Sequence, residues 1–256
     1  MKTVPYWTDR TVRPDGITRE DPPSTADVVV IGAGVTGLTA ARRLADIGRA
    51  VVVVDAMEVG QGASAINGGQ LNYGLKPSTA TLTKRFGPET TRAMWDASLA
   101  AIDLVQQIAA EDGFDAGFRR SGAVSLGYQE DGADAARAEA RAMQETFGFE
   151  TTVVEGDELR SVIGSDAFSY GEISTVDAAI DPAKYTFGLA GGVARRGVPI
   201  VEHCRVTGLY RSGSTHFVAT SKGTIQAGDV LMATNGYTPK DLIPEVRRQV
   251  VPIGSY

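Results

Sequence analysis

Gly32-Ala33-Gly34-Val35-Thr36-Gly37 sets three glycines at the spacing G-x-G-x-x-G. Residues of this type in this pattern can hold linked phosphates. The first glycine permits a tight turn, the second lets the backbone approach a pyrophosphate, and the third lets the flanking strand and helix pack closely. Val35 and Thr36 then open a helix whose amides and positive dipole end face the anion. Asp55 stands about twenty residues further on, where a carboxylate accepts hydrogen bonds from a ribose diol. The chemistry implied is recognition of a dinucleotide. Nicotinamide and flavin dinucleotides share an ADP half, so the motif does not choose between them.

The elements that must position these residues are legible around them. Val28-Val29-Val30-Ile31 reads as a strand buried on both faces of a parallel sheet. Leu38, Ala41, Leu44, Ala45 and Ile47 recur at helical spacing, with Gly48 as the stop. Val51–Val54 forms the next buried strand and ends at Asp55, completing β-α-β. Gly60–Gly74 is a loop dense in Gly, Ser and Asn, a composition that lets backbone approach a ligand.

Further along, the spacing predicts helices over Glu89–Glu111, Ala133–Phe147 and Pro182–Arg196, the last with Asp181 as its N-cap. Strands are predicted over Gly122–Tyr128 and Thr151–Val154. A meander is predicted from Arg205–Tyr210, Thr215–Ser221 and Thr224–Ala227, followed by a separate strand at Val230–Ala233. The proline-bearing segment before Thr25 reads as an extended arm.

Composition narrows the function classes. Of 256 residues 43% are hydrophobic, and 25 basic against 31 acidic residues leave a net charge of −6. With no lysine or arginine run, nothing offers the clustered positive charge that nucleic acid or an anionic membrane requires. No uncharged apolar run reaches the roughly 18 residues of a membrane span. A single cysteine, Cys204, provides neither a disulfide nor a thiolate metal cluster, and no metal site is expected. These features read as a cytoplasmic protein that meets small molecules.

Gly62-Ala63-Ser64-Ala65-Ile66-Asn67-Gly68-Gly69-Gln70, Ile180-Asp181-Pro182 before a helix, and Asp229 to Tyr237 resemble segments of the D-amino-acid-oxidase-like (DAO) superfamily of FAD-dependent amine and amino-acid oxidoreductases. Tyr6-Trp7, the run from Asn67 to Leu71 and Val250–Tyr256 are similar to those of its gamma-glutamylputrescine oxidoreductases. The resemblance implies an α/β fold: a Rossmann-like FAD-binding domain from 26–87 and 176–245, with a mixed sheet-plus-helix substrate-domain portion at 88–175 and an arm at 1–25. It implies FAD as cofactor, bound by the Gly32–Gly37 turn, by Asp55 with Ala56, and by Ser64, Asn67, Gly68, Gly69 and Gln70 beside the pyrophosphate and flavin ring. Val206 would offer backbone groups to adenine, and Thr234, Asn235 and Gly236 would close over the ADP portion.

The implied activity is oxidation of the C–N bond of an amine or amino acid to an imine, with oxygen or another acceptor reoxidising the flavin. No catalytic residue is assigned by the resemblance. Asp55 departs from the family, where glutamate is commoner at this place. The second half of the fold is missing, and Gln249–Ile253 reads as the start of a strand, so the chain reads as the N-terminal portion of a longer protein that needs a C-terminal half or a partner chain. The alternative is a noncatalytic nucleotide-binding fragment or subunit.

Other conspicuous residues have structural readings. His203-Cys204 are expected at a strand start with alternating directions, His216 on a surface strand, Arg119-Arg120 as a solvated pair, and Trp95 in the core.

Overall fold

A computed structural model describes residues 3–129, 131–240 and 242–250. In chain order the elements begin α1 (Tyr6–Arg10), β1 (Thr25–Ile31), α2 (Val35–Asp46), β2 (Val51–Val54), β3 (Gln70–Leu71), α3 (Thr79–Phe86) and α4 (Pro88–Glu111). They continue with β4 (Ala123–Gly127), α5 (Gly132–Phe147), β5 (Thr152–Glu155), α6 (Gly156–Ile163), β6 (Tyr170–Ser174) and β7 (Ala178–Ala179). The last are α7 (Pro182–Arg195), β8 (Ile200–Val201), β9 (Val206–Ser212), β10 (Thr215–Thr220), β11 (Gly223–Met232) and α8 (Pro244–Gln249). Contacts divide the chain into two compact units: one runs through Gly68 and takes in Ile108–Ala116 and the chain from Asp181 onward, the other holds Gly69–Gln107 and Gly117–Ile180. The changeovers thus lie at Gly68/Gly69, Gln107/Ile108, Ala116/Gly117 and Ile180/Asp181.

The first unit is built on a six-stranded sheet in the order β8-β2-β1-β11-β10-β9. Strands β8, β2, β1 and β11 run parallel, and β10 and β9 continue antiparallel from β11. Val29, Val30, Val52 and Val53 have no exposed surface, because strands covered on both faces need apolar side chains in both directions. Each contributes roughly 1.5–3 kcal/mol by leaving water. Helix α2 buries Gly37, Leu38 and Ala41, and α7 buries most of its length. Asp181 caps α7 by accepting the amides of Ala183 and Lys184, each at 3.0 Å, with Pro182 in the first turn.

Arg42 of α2 holds three acidic partners. Its Nε donates to Asp112 at 2.9 Å, Nη2 donates to Glu111 at 2.8 Å, and Asp46 lies 3.5 Å from Nη1. Arg196 joins the same group, 2.9 Å from Asp112 and 2.7 Å from Asp46. Gly192 of α7 leaves room for this carboxylate, since a Cβ there would lie 2.1 Å from Asp112 Oδ2.

Four local expectations are corrected here. The segment predicted as two strands, Thr224–Ala227 and Val230–Ala233, is the single strand β11, because 223–227 pairs with β10 while 226–232 pairs with β1. The amino-terminal arm is not wholly extended, since α1 forms within it, and it docks: Ile17 is buried, and the Arg19 amide donates to the Ile200 carbonyl of β8 at 2.8 Å. His203 lies outside any strand in the left-handed region (φ 51°), and β9 starts only at Val206. Gln249 closes helix α8 rather than opening a strand, and 251–253 of that expectation lies outside the described residues.

In the second unit β4, β6 and β5 form an antiparallel sheet in that order, and β3 pairs with β7. Tyr73, Trp95, Phe147 and Phe149 pack edge to face or tilted, with ring centroids 4.4 to 5.4 Å apart. Trp95 is buried as expected. Arg120 is ion-paired with Asp103 and donates to the Val176 carbonyl at 2.7 Å, so it is held rather than simply solvated.

Candidate functional site

The glycine turn sits where the motif requires, between the end of β1 and the start of α2. Gly32 has φ 115°, and a Cβ there would lie 2.6 Å from the Ala233 carbonyl oxygen. A Cβ on Gly37 would lie 1.9 Å from the Gly32 carbonyl oxygen and 3.1 Å from Val30 Cγ1, so this glycine lets helix and strand approach. A Cβ on Gly34 would meet only the Ser64 hydroxyl, at 2.8 Å. The first and third glycines therefore shape the fold, and the second keeps the face toward Ser64 open.

Beside the turn lies a cavity of about 220 Å³. Of the residues proposed from sequence, it brings together Gly32, Gly34, Asp55, Ala56, Ser64, Val206, Thr234 and Asn235 in its lining. Val35, Thr36, Gly37 and Gly236 are not part of that lining, nor are Asn67, Gly68, Gly69 and Gln70. Asn67 instead closes its own turn, donating from Nδ2 to the carbonyls of Ala63 at 3.1 Å and Ser64 at 3.0 Å. Gly69 and Gln70 belong to the second unit, where the Gly69 carbonyl accepts the Ile180 amide at 2.8 Å and Gln70 pairs with Ala179.

Two polar groups are more engaged than the sequence indicated. Asp55 Oδ2 accepts the Ala33 amide at 2.7 Å and Oδ1 accepts the Met57 amide at 2.8 Å, so this carboxylate ties the glycine turn to the end of β2. Each oxygen keeps a second lone pair for a diol. Ser64 Oγ accepts the Val35 amide at 3.0 Å, filling at the helix start the place of an anion's oxygen. Ser64 is set by a short 3-10 turn at Ala63–Ala65, and its carbonyl accepts the Thr186 hydroxyl of α7 at 3.1 Å.

The remaining walls were missed by sequence reasoning. Ile31, Val54, Cys204 and Leu242 supply apolar surface, Met57, Tyr237 and Pro239 extend it, and Arg205 is the one cationic side chain among the described lining residues. Cys204 is fully buried and belongs to the core under the parallel sheet, in keeping with its structural reading. Asn235 holds a left-handed backbone (φ 44°), and the Thr238 hydroxyl donates to its carbonyl at 2.7 Å, which folds Thr234–Thr238 onto the cavity. Arg205 had a usable signal, its place one residue before Val206. Tyr237 ends the resembling segment, whereas Pro239 and Leu242 had no signal, since their approach depends on this tertiary turn.

Amides at a helix start, a carboxylate at the end of the adjacent strand, one arginine and apolar walls make a donor set suited to the pyrophosphate, ribose and base of a nucleotide. Among the described residues no group of three His, Cys, Asp or Glu side chains could hold a metal ion, and no helix is long and apolar enough to cross a membrane.

Comparison with known proteins gives this arrangement its context. The family described as DAO, FAD dependent oxidoreductase, matches residues 27–256. A probable oxidoreductase OrdL of Haemophilus influenzae is 29% identical over 235 residues, covering 90% of this chain and 54% of the relative. The gamma-glutamylputrescine oxidoreductase of Escherichia coli is 27% identical over 232 residues with the same coverage. Among solved structures, an L-amino acid deaminase from Proteus myxofaciens in complex with anthranilate matches 88% of this chain and 48% of its own, at a TM-score of 0.70 and 26% identity. The chain spans about half the length of the curated relatives it matches.

Proposed function

Because the chain belongs to the DAO family of FAD-dependent oxidoreductases, we propose that it forms the FAD-binding part of an enzyme that oxidises the C–N bond of a small amine or amino acid. The observation that carries this reading is the cavity beside Gly34, where the helix-start amides, Asp55, Ser64 and Arg205 converge. FAD, when bound, supplies a two-electron acceptor for such an oxidation.

The chain's own residues would act on the cofactor by binding and orientation. Amides of the Gly32–Gly37 turn and the Ser64 hydroxyl, which accepts the Val35 amide, would hold the pyrophosphate. Asp55, which accepts the amides of Ala33 and Met57, would hold the ribose diol on its remaining lone pairs. Its side chain is one methylene shorter than the family's usual glutamate, and the Ala33 bond draws the glycine turn toward it. Val206, Cys204 and Leu242 would take the adenine against apolar surface, and Thr234 and Asn235 would close over the ADP portion, with Gly236 proposed beside them on the strength of the segment's resemblance. Asn67, Gly68, Gly69 and Gln70 are proposed for the flavin side on the strength of the loop's resemblance.

The substrate proposed first is gamma-glutamylputrescine, supported by the 27% identity to the Escherichia coli enzyme. The test is to titrate the purified chain into FAD, follow the flavin fluorescence, and then add the amine without oxygen. Saturable quenching that ADP reverses, followed by bleaching of the flavin band by the amine, is the expected outcome. Binding without bleaching favours the alternative of a nucleotide-binding portion that needs the rest of its enzyme, as the 54% coverage of the relatives would have it. Absence of binding overturns the reading.

A further inference from the structure

The second unit contains a separate cavity of about 240 Å³ with a different chemistry. Tyr73, Leu82, Trp95, Met143 and Phe149 give it apolar and aromatic walls, and Glu139 of α5 and Glu172 of β6 are its charged members. No lysine, arginine or histidine stands among the described lining residues. Glu172 is fixed by the Thr151 hydroxyl, which donates to it at 2.7 Å, whereas Glu139 is exposed on its helix.

Neighbouring groups deepen the negative character. Asp177 is almost fully buried, and its Oδ2 has no hydrogen-bond partner among the described residues. The Tyr73 phenol is pushed up to about 12, first by burial and then by the charges of Glu172, Asp177 and Glu139. Carboxylates of one sign around a partly apolar cavity invite a counter-ion. The carboxylates do not gather as metal ligands, so a bare metal ion is a poor match. Aromatic faces beside anionic oxygens instead suit a positive head on an organic body. The cavity is below the roughly 300–1,000 Å³ typical of drug-sized ligands, which limits that body to a short one.

We infer that this cavity binds a small organic ammonium ion, its charge held by Glu139 and Glu172 and its apolar stem lying against Tyr73, Trp95 and Phe149. The inference concerns the second unit alone and stands whether or not the dinucleotide reading holds.

The chain has two tryptophans, so Trp7→Phe leaves Trp95 as the sole indole reporter. The probe is 1-butylamine, cationic at neutral pH, with 1-butanol as its uncharged counterpart of similar shape and sodium chloride as the ionic-strength control. The expected result is a saturable change in Trp95 fluorescence with 1-butylamine, unaffected by ADP, and about tenfold weaker with 1-butanol. Glu172→Gln and Glu139→Gln should each weaken 1-butylamine binding by about tenfold, equivalent to about 1.4 kcal/mol. Glu139→Gln changes an exposed helix position, so the test survives if Glu172→Gln fails to fold. No saturable response, an equal response to 1-butanol, displacement by ADP, or unchanged binding in Glu139→Gln and any folded Glu172→Gln variant would each overturn the inference.

Discussion

Asp55 has two duties at once: its oxygens hold the amides of Ala33 and Met57, and it lines the cavity beside the glycine turn. Asp55→Ala should therefore weaken FAD binding by ten- to a hundredfold, since hydrogen bonds to a charged group are worth about 1.5–3 kcal/mol. It should also lower the melting temperature without any ligand, which a ribose contact alone would not do. Isothermal titration together with a thermal melt separates the two effects. Gly37 is a purely steric case. Gly37→Ala forces a methyl against the Gly32 carbonyl and should destabilise the chain by about 3 kcal/mol, in the upper range for overpacking, as read from urea unfolding. At this scale the sequence was informative about glycines and the acid, because their roles follow from backbone conformation and strand position. It was silent on Ser64 as the partner of the Val35 amide, since that bond spans residues far apart in the chain.

The elements explain why reading was uneven. β1 and β2 were legible because their valines are buried on both faces, and α7 because Asp181-Pro182 is a local start signal. β11 was divided in two by Gly228-Asp229, which interrupt the apolar run, yet pairing with β10 and then β1 carries the strand through them. α6 and β6 were not predicted at all, and two-residue strands such as β8 carry too few residues to show a period. The ion group joining α2 and α7 was equally hidden, because Arg42, Asp112 and Arg196 meet only in three dimensions. Burial pushes the Asp112 carboxyl up, but the hydrogen bonds and charges of Arg42 and Arg196 outweigh it and hold it below the ordinary aspartate value. A carboxyl lowered in the folded state stabilises above the unfolded value of about 3.9 and loses that contribution as pH falls through the folded one. Asp112→Asn should cost about 3 kcal/mol at pH 7, as expected for breaking a buried pair. That difference should shrink as pH drops below about 4, which urea unfolding across the pH range would measure.

At the scale of the whole molecule, the expectation of an α/β dinucleotide-binding architecture agrees with the parallel sheet and with membership of the DAO family. The cavity's far wall, from Thr234 to Leu242, was only half legible, since Thr234 to Tyr237 belong to a resembling segment while Pro239 and Leu242 are brought in by the turn that follows. The docked arm has a consequence for how the chain keeps to itself. β8 is a two-residue strand at the border of the sheet, and Arg19 supplies it with a main-chain neighbour. Arg13 secures the same arm by donating to the nearly buried Glu202 at 2.6 Å. Removing residues 1–24 should bare that border and leave Glu202 without its counter-charge, producing concentration-dependent self-association visible by light scattering. The arm thus serves as a hem along the β8 border, taking there the place from which another chain could begin to knit.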